Sequence, residues 1–253
     1  MNAGLSRQGG EFSVTYLTLA HPDTPLHAGV AAAVARVVEA HDMEPEYAAG
    51  PESSLRAMLS SGEADLFVTA WVKEGEKGDF IGTLYRPRFG LFVQDGSAVS
   101  SLTELAASGV NRALITPESV LPHVRSVVSA CGLTEAGFTI EAEPDERAFA
   151  RLEELAGQGE DIVFPLMMPG CLHHRLKLNL LQDPEGVTGS ELEARIMIRP
   201  GLRDDADSDM LDELDEMLLS NKVVSALDDA IRYGGMTPDD AAEAWQRGRL
   251  VPR

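Results

Sequence analysis

The sequence predicts an α/β protein folded as two lobes, and three observations carry that reading. Strand-like and helix-like segments alternate from one end of the chain to the other, the pattern of a sheet built with crossover helices. Two stretches, near 82–95 and near 184–200, are extended without reading as helical crossovers. At 253 residues the chain can form one large domain or two smaller ones. The placement of the extended stretches points to a middle lobe inserted into an outer one, joined by two crossing strands that act as a hinge. The expected outer lobe is 1–92 plus 190–249, and the inserted lobe is 93–189. Pattern alone also admits a single doubly wound sheet.

Each element has a local reason. Phe12 to Leu19 is rich in β-branched and aromatic residues and predicts a strand. Thr24-Pro25 supply a helix cap and a first-turn proline, and Leu26 to His41 carries apolar residues at helical spacing. Ser53 or Ser54 is expected to cap a helix through Ser60, which Gly62 ends. Ala64 to Ala70 reads as a buried strand. Gly82 to Val93 is extended but interrupted by Pro87, which cannot donate to a central ladder. Leu102 to Ala107 predicts a short helix, Ala113 to Ile115 a strand, and Pro117 to Cys131 a helix opened by Thr116. Phe138 to Glu141, Asp145 to Ala156 and Ile162 to Leu166 follow as strand, helix and strand. Arg195 to Arg199 is extended again. Helices at about 209–219, 222–233 and 238–246 close the chain, with Gly234-Gly235 as the last break.

Composition narrows the functions. The formal net charge is −20 and the isoelectric point about 4.6. Such a surface repels a phosphate backbone, and there is no basic stripe, so nucleic acid is not an expected partner. An anionic membrane surface is disfavoured for the same reason. No apolar run approaches the roughly 20 residues that span a bilayer, so no membrane span is expected. The acidic run Asp204 to Glu216 reads as a solvated helix face. The two cysteines, Cys131 and Cys171, lie in no redox or zinc pattern, and Cys131 reads as a packing thiol. No Walker loop, dinucleotide glycine fingerprint, nucleophile elbow or zincin helix occurs, so neither a cofactor nor a metal is expected.

The opening MNAGLSRQGGEFS lacks the basic start and apolar centre of a secretory signal. As a native start it predicts a cytoplasmic protein; with an export signal or lipid anchor removed, an extracytoplasmic one. The closing Leu250-Val251-Pro252-Arg253 is similar to the remnant of a thrombin-cleaved tag and stands outside the functional argument.

Four motifs occur in a telling order. They are Gly62-Glu63-Ala64-Asp65-Leu66-Phe67-Val68-Thr69-Ala70-Trp71; Gly82-Thr83-Leu84-Tyr85 followed by Gly90-Leu91-Phe92-Val93; Leu181-Gln182-Asp183-Pro184-Glu185-Gly186; and Gly235-Met236-Thr237-Pro238 with Ala241-Ala242 and Trp245. Together, over about residues 13–247, they resemble the glycine-betaine/choline substrate-binding proteins of ABC transporters, a type II periplasmic-binding-protein family. The resemblance implies two lobes with a ligand cleft between them, closing on a small molecule that is handed to an ABC permease. It also implies an aromatic box for a quaternary ammonium group. A methylated ammonium donates no hydrogen bonds, so ring faces replace water around it, each contact giving ~0.5–2 kcal/mol.

The chain departs from that pattern. Trp71 matches one box residue, but the family's Trp-x-Pro-x-Trp-like segment here reads Met167-Met168-Pro169-Gly170-Cys171. Only Trp71 and Trp245 are tryptophans, so Tyr16, Tyr47, Tyr85 and Phe164 would have to contribute. A ligand carboxylate would sit on free N–H groups at a middle-lobe helix start, expected at Thr116-Pro117-Glu118-Ser119. There Pro117 removes a donor and Glu118 adds a negative charge. That argues against glycine betaine and favours a cation without a carboxylate, a neutral polar solute or a larger apolar one.

The candidate ligand-binding residues are therefore Trp71, His21, Thr69, Glu118, Ser119, Met167, Met168 and Cys171. Each has a plainer reading: rim tryptophan, turn histidine, ordinary helix-start chemistry, or gap-filling methionine and thiol. Arg86 and Arg88 flank Pro87 and read as salt-bridge partners before anion binders. The alternative function is a cytoplasmic enzyme on the same fold, acting on a small metabolite, with Cys171, His173 and Glu118 as catalytic candidates and His174 and His21 nearby. A thiol beside imidazoles can form a thiolate–imidazolium pair, although sequence neighbours rarely do.

Overall fold

The structure is a computed structural model that describes residues 6–8 and 11–13 as backbone and residues 16–252 in full. In chain order the strands and helices are β1 (Ser6–Gln8), β2 (Glu11–Ser13), β3 (Tyr16–Pro22), α1 (Pro25–Ala40), β4 (Glu44–Gly50), α2 (Glu52–Ser61), β5 (Leu66–Val72), β6 (Phe80–Tyr85) and β7 (Arg88–Gln94). There follow α3 (Leu102–Leu105), β8 (Ala113–Pro117), a 3-10 turn (Glu118–Val120), α4 (Leu121–Ala130), β9 (Thr139–Glu143), α5 (Asp145–Gly157), β10 (Phe164–Met168), α6 (Cys171–Arg175) and β11 (Leu178–Leu180). The chain closes with β12 (Glu193–Ile198), α7 (Leu202–Asp205), α8 (Ser208–Glu216), α9 (Asn221–Arg232) and α10 (Pro238–Gln246).

The chain forms two compact units, Met1–Arg86 with Leu192–Arg253, and Pro87–Glu191. The crossings fall at 86/87 and 191/192, whereas the sequence placed them at 92/93 and 189/190. The first moves because β7 is a central strand of the second unit's sheet, flanked by β10 and β11. Pro87 stands in the break itself, the one place where its missing N–H costs no ladder bond.

In the first unit five strands lie in the order β4-β3-β5-β12-β6. β3 is parallel to β4 and β5, while β12, returning after the insertion, runs antiparallel between β5 and β6. One face of the sheet buries Leu17, Leu19, Leu66 and Val68 against α1 and α8–α10; the other buries Ala20, Phe67 and Ala70 with Leu55 and Leu59 of α2. α1 is short-chained for a reason. A Cβ on Gly29 would stand 2.8 Å from the Ile231 Cδ1 and 3.2 Å from the Leu227 Cβ of α9, so glycine lets α9 approach without displacing those side chains.

β5 does not alternate regularly. Thr69 has φ 67, and Val68 with Thr69 stand opposite the single residue Ile196 of β12, a β-bulge. The bulge reverses the parity of the strand. Before it, Leu66 and Val68 face α1 and Phe67 faces α2; after it, Trp71 lies on the α1 side and Ala70 and Val72 on the α2 side. At the same level β6 is also irregular, with Gly82, Thr83 and Leu84 opposite Arg195 alone. Gly82, at φ 60, donates its N–H to Asp215 (2.7 Å) and accepts from Arg195 Nε (2.8 Å), which stitches that bulge in place.

The second unit repeats the winding. β8 and β9 pair in parallel, β10-β7-β11 form a ladder, and β10 lies beside β8. Two clusters fill the unit, one around Leu91, Leu114, Val124 and Val127, the other around Phe92, Ile115, Leu152 and Phe164.

Several local expectations are corrected. α2 begins at Glu52 with Pro51 at its N-cap and no side-chain cap, so Ser53 and Ser54 lie inside the first turn. Thr116 caps nothing: its hydroxyl donates to the Leu114 carbonyl at 2.8 Å, β8 runs on to Pro117, and the helix starts only at Leu121 after the 3-10 turn. β4 was missed because Glu44–Gly50 forms a mostly exposed edge with little apolar alternation. Part of the strand expected at 12–19 falls on residues 14–15, outside the described residues.

Candidate functional site

Parallel strands of an open α/β sheet present their carboxyl ends as the natural place for a ligand, because loops and helix starts converge there. In the first unit β3 ends in His21-Pro22, β5 in Trp71-Val72, and α1 starts immediately after β3. Four rings gather at this edge. His27, in the first turn of α1, packs against Trp71 with ring centroids 5.4 Å apart. His21 meets the Tyr47 ring edge-on at 6.2 Å, and it lies close enough to His27 to affect its protonation. Tyr47 is 42% exposed, and its hydroxyl donates to Asp239 of α10 at 2.9 Å.

Trp71 is half-buried and held from three sides. Its Nε1–H donates to the phenol oxygen of Tyr85 at 3.0 Å, His27 lies against its ring, and the α1-side core packs beneath it. Tyr85 is fully buried, and desolvation pushes its pKa upward, so the phenol stays protonated. Thr69 is 2% exposed, and its hydroxyl has no partner at hydrogen-bond geometry among the described residues, although it lies near enough to the Tyr85 phenol to oppose that rise slightly.

His27 carries no positive charge into this edge at neutral pH. Burial first, and then the neighbouring His21, push the His27 pKa down to about 3, so His27 is neutral at pH 7. Its Nδ1 lies 2.6 Å from the Thr24 hydroxyl, whose oxygen also receives the His27 backbone N–H as the helix cap. His21 is 7% exposed, and its Nδ1 points at the Pro22 carbonyl at 2.9 Å, which places a proton on that nitrogen.

In the second unit, Glu118 and Ser119 are exposed, but the helix-start donor is already in use. The Ser119 N–H donates to the Asp145 carboxylate at 3.0 Å. With Pro117 lacking an N–H, the Thr116 hydroxyl turned inward and the Ser119 N–H taken, three donors of this segment are withheld from a ligand carboxylate. Met167 and Met168 are half-buried at the carboxyl end of β10, which lies against the 3-10 turn, so these residues share one edge of the unit. Met168-Pro169 is a cis peptide.

Two of the catalytic candidates, Cys171 and His173, lie on α6. Cys171 is 2% exposed in a core with Leu152, Phe164 and Leu166. The His173 ring packs edge-on to Phe92 at 4.7 Å, and burial lowers its pKa to about 4 against the opposing Gly170 carbonyl. A neutral, buried imidazole does not sustain a thiolate–imidazolium pair. Among the described residues no group of three or more His, Cys, Asp and Glu is placed to hold a metal ion. No helix among them is long and apolar enough to cross a membrane. Arg86 pairs with Glu193 at 3.3 Å. Phe164 is fully buried, Tyr16 opens β3 at the far end from His21, and Trp245 packs on the core from α10, so these rings do not join the arc.

Residues 16–247 match the OpuAC family, described as the substrate-binding domain of an ABC-type glycine betaine transport system. The chain belongs to this family. It is a small-molecule-binding protein of the ABC-transport type with the two-lobed periplasmic-binding-protein fold. Lactococcal OpuAC in its closed-liganded conformation with glycine betaine superposes with a TM-score of 0.74 at 19% identity, over 92% of this chain and 96% of that one. The glycine betaine/L-proline-binding protein ProX of Borrelia burgdorferi gives 0.67 at 20% identity, over 94% and 97%. A choline-binding protein in complex with choline gives 0.65 at 15% identity, over 91% and 88%. At such identities the likeness is one of fold. Among curated proteins no sequence match was found.

His27 is the member of the ring arc that sequence reasoning missed. Its signal was present: the third residue of a helix capped by Thr24, directly after the strand that ends in His21. Tyr47 and Tyr85 were named only as partial ring donors. One proves a rim residue and the other an interior support.

Proposed function

We propose that the chain captures a small organic cation lacking a carboxylate on the ring arc around Trp71, for delivery to an ABC permease. The observation that carries this reading is the arc itself. Tyr47, His21, His27 and Trp71 line one strand edge, with His27 held neutral, in a protein of net charge −20. Ring faces and diffuse negative potential favour a cation, and a charged imidazole here would oppose it. Within the second unit, Pro117 has no N–H and the Ser119 N–H is taken by Asp145, which disfavours a carboxylate at that helix start. Among the second unit's own candidates, Glu118 is an exposed carboxylate and Met167 and Met168 offer adaptable apolar surface.

Calorimetric titration with choline, glycine betaine and the uncharged choline isostere 3,3-dimethylbutan-1-ol tests it. Choline is expected to bind at least about tenfold more tightly than the isostere, since two or more cation–π contacts are lost without the charge. Glycine betaine is expected to bind more weakly than choline, and Trp71→Ala to lose about tenfold in choline affinity. Equal binding of choline and its isostere, or an unchanged Trp71→Ala, overturns the proposal.

A further inference from the structure

The position of the Trp71 ring depends on an arrangement that no single contact reveals. Trp71 and Tyr85 are not neighbours in the sheet. They flank the same residue of the strand between them, because Ala194 of β12 pairs with Trp71 on one side and with Tyr85 on the other. Adjacent strands lie about 4.8 Å apart, so the two aromatic residues are separated by two strand spacings. Their side chains close that gap over the Ala194 methyl, and the indole N–H reaches the phenol oxygen at 3.0 Å. Ala194 is fully buried and belongs with both rings to the α1-side core. Any larger side chain there would stand between donor and acceptor.

Two irregularities put the three residues in one row. With regular alternation from Leu66 and Val68, Trp71 would fall on the opposite face, with Phe67. The extra residue at Thr69 reverses that parity. On the other flank, the surplus residues Gly82–Leu84 bring Tyr85 into register with Ala194.

We infer that Tyr85 and Ala194 are positioning residues for ligand recognition: Tyr85 anchors the plane of the Trp71 ring across the gap that Ala194 keeps open, and the bulge at Thr69 delivers the ring to that row. This rests on Trp71 being the ligand platform proposed above. A ring tethered at Nε1 and backed by His27 is already oriented before a ligand arrives, so binding does not have to pay for ordering it.

The test separates ring position from binding. In a Trp245→Phe background Trp71 is the sole tryptophan, and its emission anisotropy and acrylamide quenching are read in ligand-free protein. Tyr85→Phe removes only the acceptor oxygen. The expected result is lower anisotropy, stronger quenching, and choline affinity weakened about fivefold, the size of ordering one side chain on binding, with the thermal midpoint lowered by only a few degrees, about the size of one lost net hydrogen bond. Ala194→Val should loosen the ring in the same optical readout by wedging donor and acceptor apart; if that variant does not fold, Tyr85→Phe decides alone. Anisotropy and quenching unchanged in Tyr85→Phe overturn the inference, as does a loosened ring with full choline affinity. Should the parent protein bind no choline, the functional proposal fails, and the ligand-free fluorescence still decides whether Tyr85 anchors the ring.

Discussion

Replacing Thr69 by glycine weighs backbone strain against packing at one position. Thr69 is β-branched, buried, and held at φ 67. For a residue with a side chain the left-handed region costs roughly 1–2 kcal/mol. Removing its hydroxyl, which lacks a partner at bonding geometry, recovers up to about 1 kcal/mol of desolvation penalty. Against this, two buried carbons are lost, worth about 1.6 kcal/mol, and glycine adds about 0.5–1 kcal/mol of unfolded-state entropy. The opposing terms nearly cancel, so Thr69→Gly is expected to change stability by no more than about 1 kcal/mol, whereas in regular strand geometry the same exchange would cost about 2–2.5 kcal/mol. Urea unfolding at constant m-value measures the difference. A loss above about 2 kcal/mol would refute the strained bulge, and with it the account of how β5 reverses parity.

Three further outcomes follow from the same geometry. Gly82→Ala should cost at least about 2 kcal/mol, because φ is 60 and the new Cβ would stand 2.8 Å from the Leu214 carbonyl oxygen; a loss below about 0.5 kcal/mol in urea unfolding would contradict it. His27 takes up a proton near pH 3 when folded and near 6.5 when unfolded. Its contribution is therefore present above about pH 6.5 and is lost as pH falls toward 3, so His27→Gln should flatten stability against pH in that window, read from urea midpoints between pH 4 and 7. Of the two thiols, Cys131 is half-buried with its pKa raised by burial and then by Asp183 and Glu185, and Cys171 is 2% exposed. A thiol reagent should label Cys131 slowly in the native protein, faster with rising pH, and Cys171 only on unfolding; rapid native labelling of both would contradict the packing of α6.

Legibility followed the kind of signal each element carried. α1, α5, α9 and α10 were readable because capping residues, prolines and 3.6-residue apolar spacing agree, as at Thr24-Pro25 and Thr237-Pro238. Pro87 likewise marked a real break. β4 was not readable, since an exposed edge strand needs no apolar alternation. The helix expected at Thr116-Pro117 misled because Thr-Pro before an apolar run is also what a strand end followed by a turn looks like. Cys171 looked reactive by residue type, yet its burial, which no local pattern encodes, makes it core, and His173 lies with its ring against Phe92 of the same core.

Within the ring arc the division is sharper still. The amino-acid sequence by itself determined the α/β winding, the insertion between two crossings, and Trp71 at the end of a buried strand, because each depends on local periodicity and turn chemistry. Which face Trp71 occupies was decided only in three dimensions. A period of two counted along Leu66–Val72 places it with Phe67, and a single residue at positive φ, opposite a strand 127 positions later (Thr69 to Ile196), moves it beside His27 and over Ala194 to Tyr85. Register between distant strands is a property of the assembled sheet, and one extra residue there reverses every side chain beyond it.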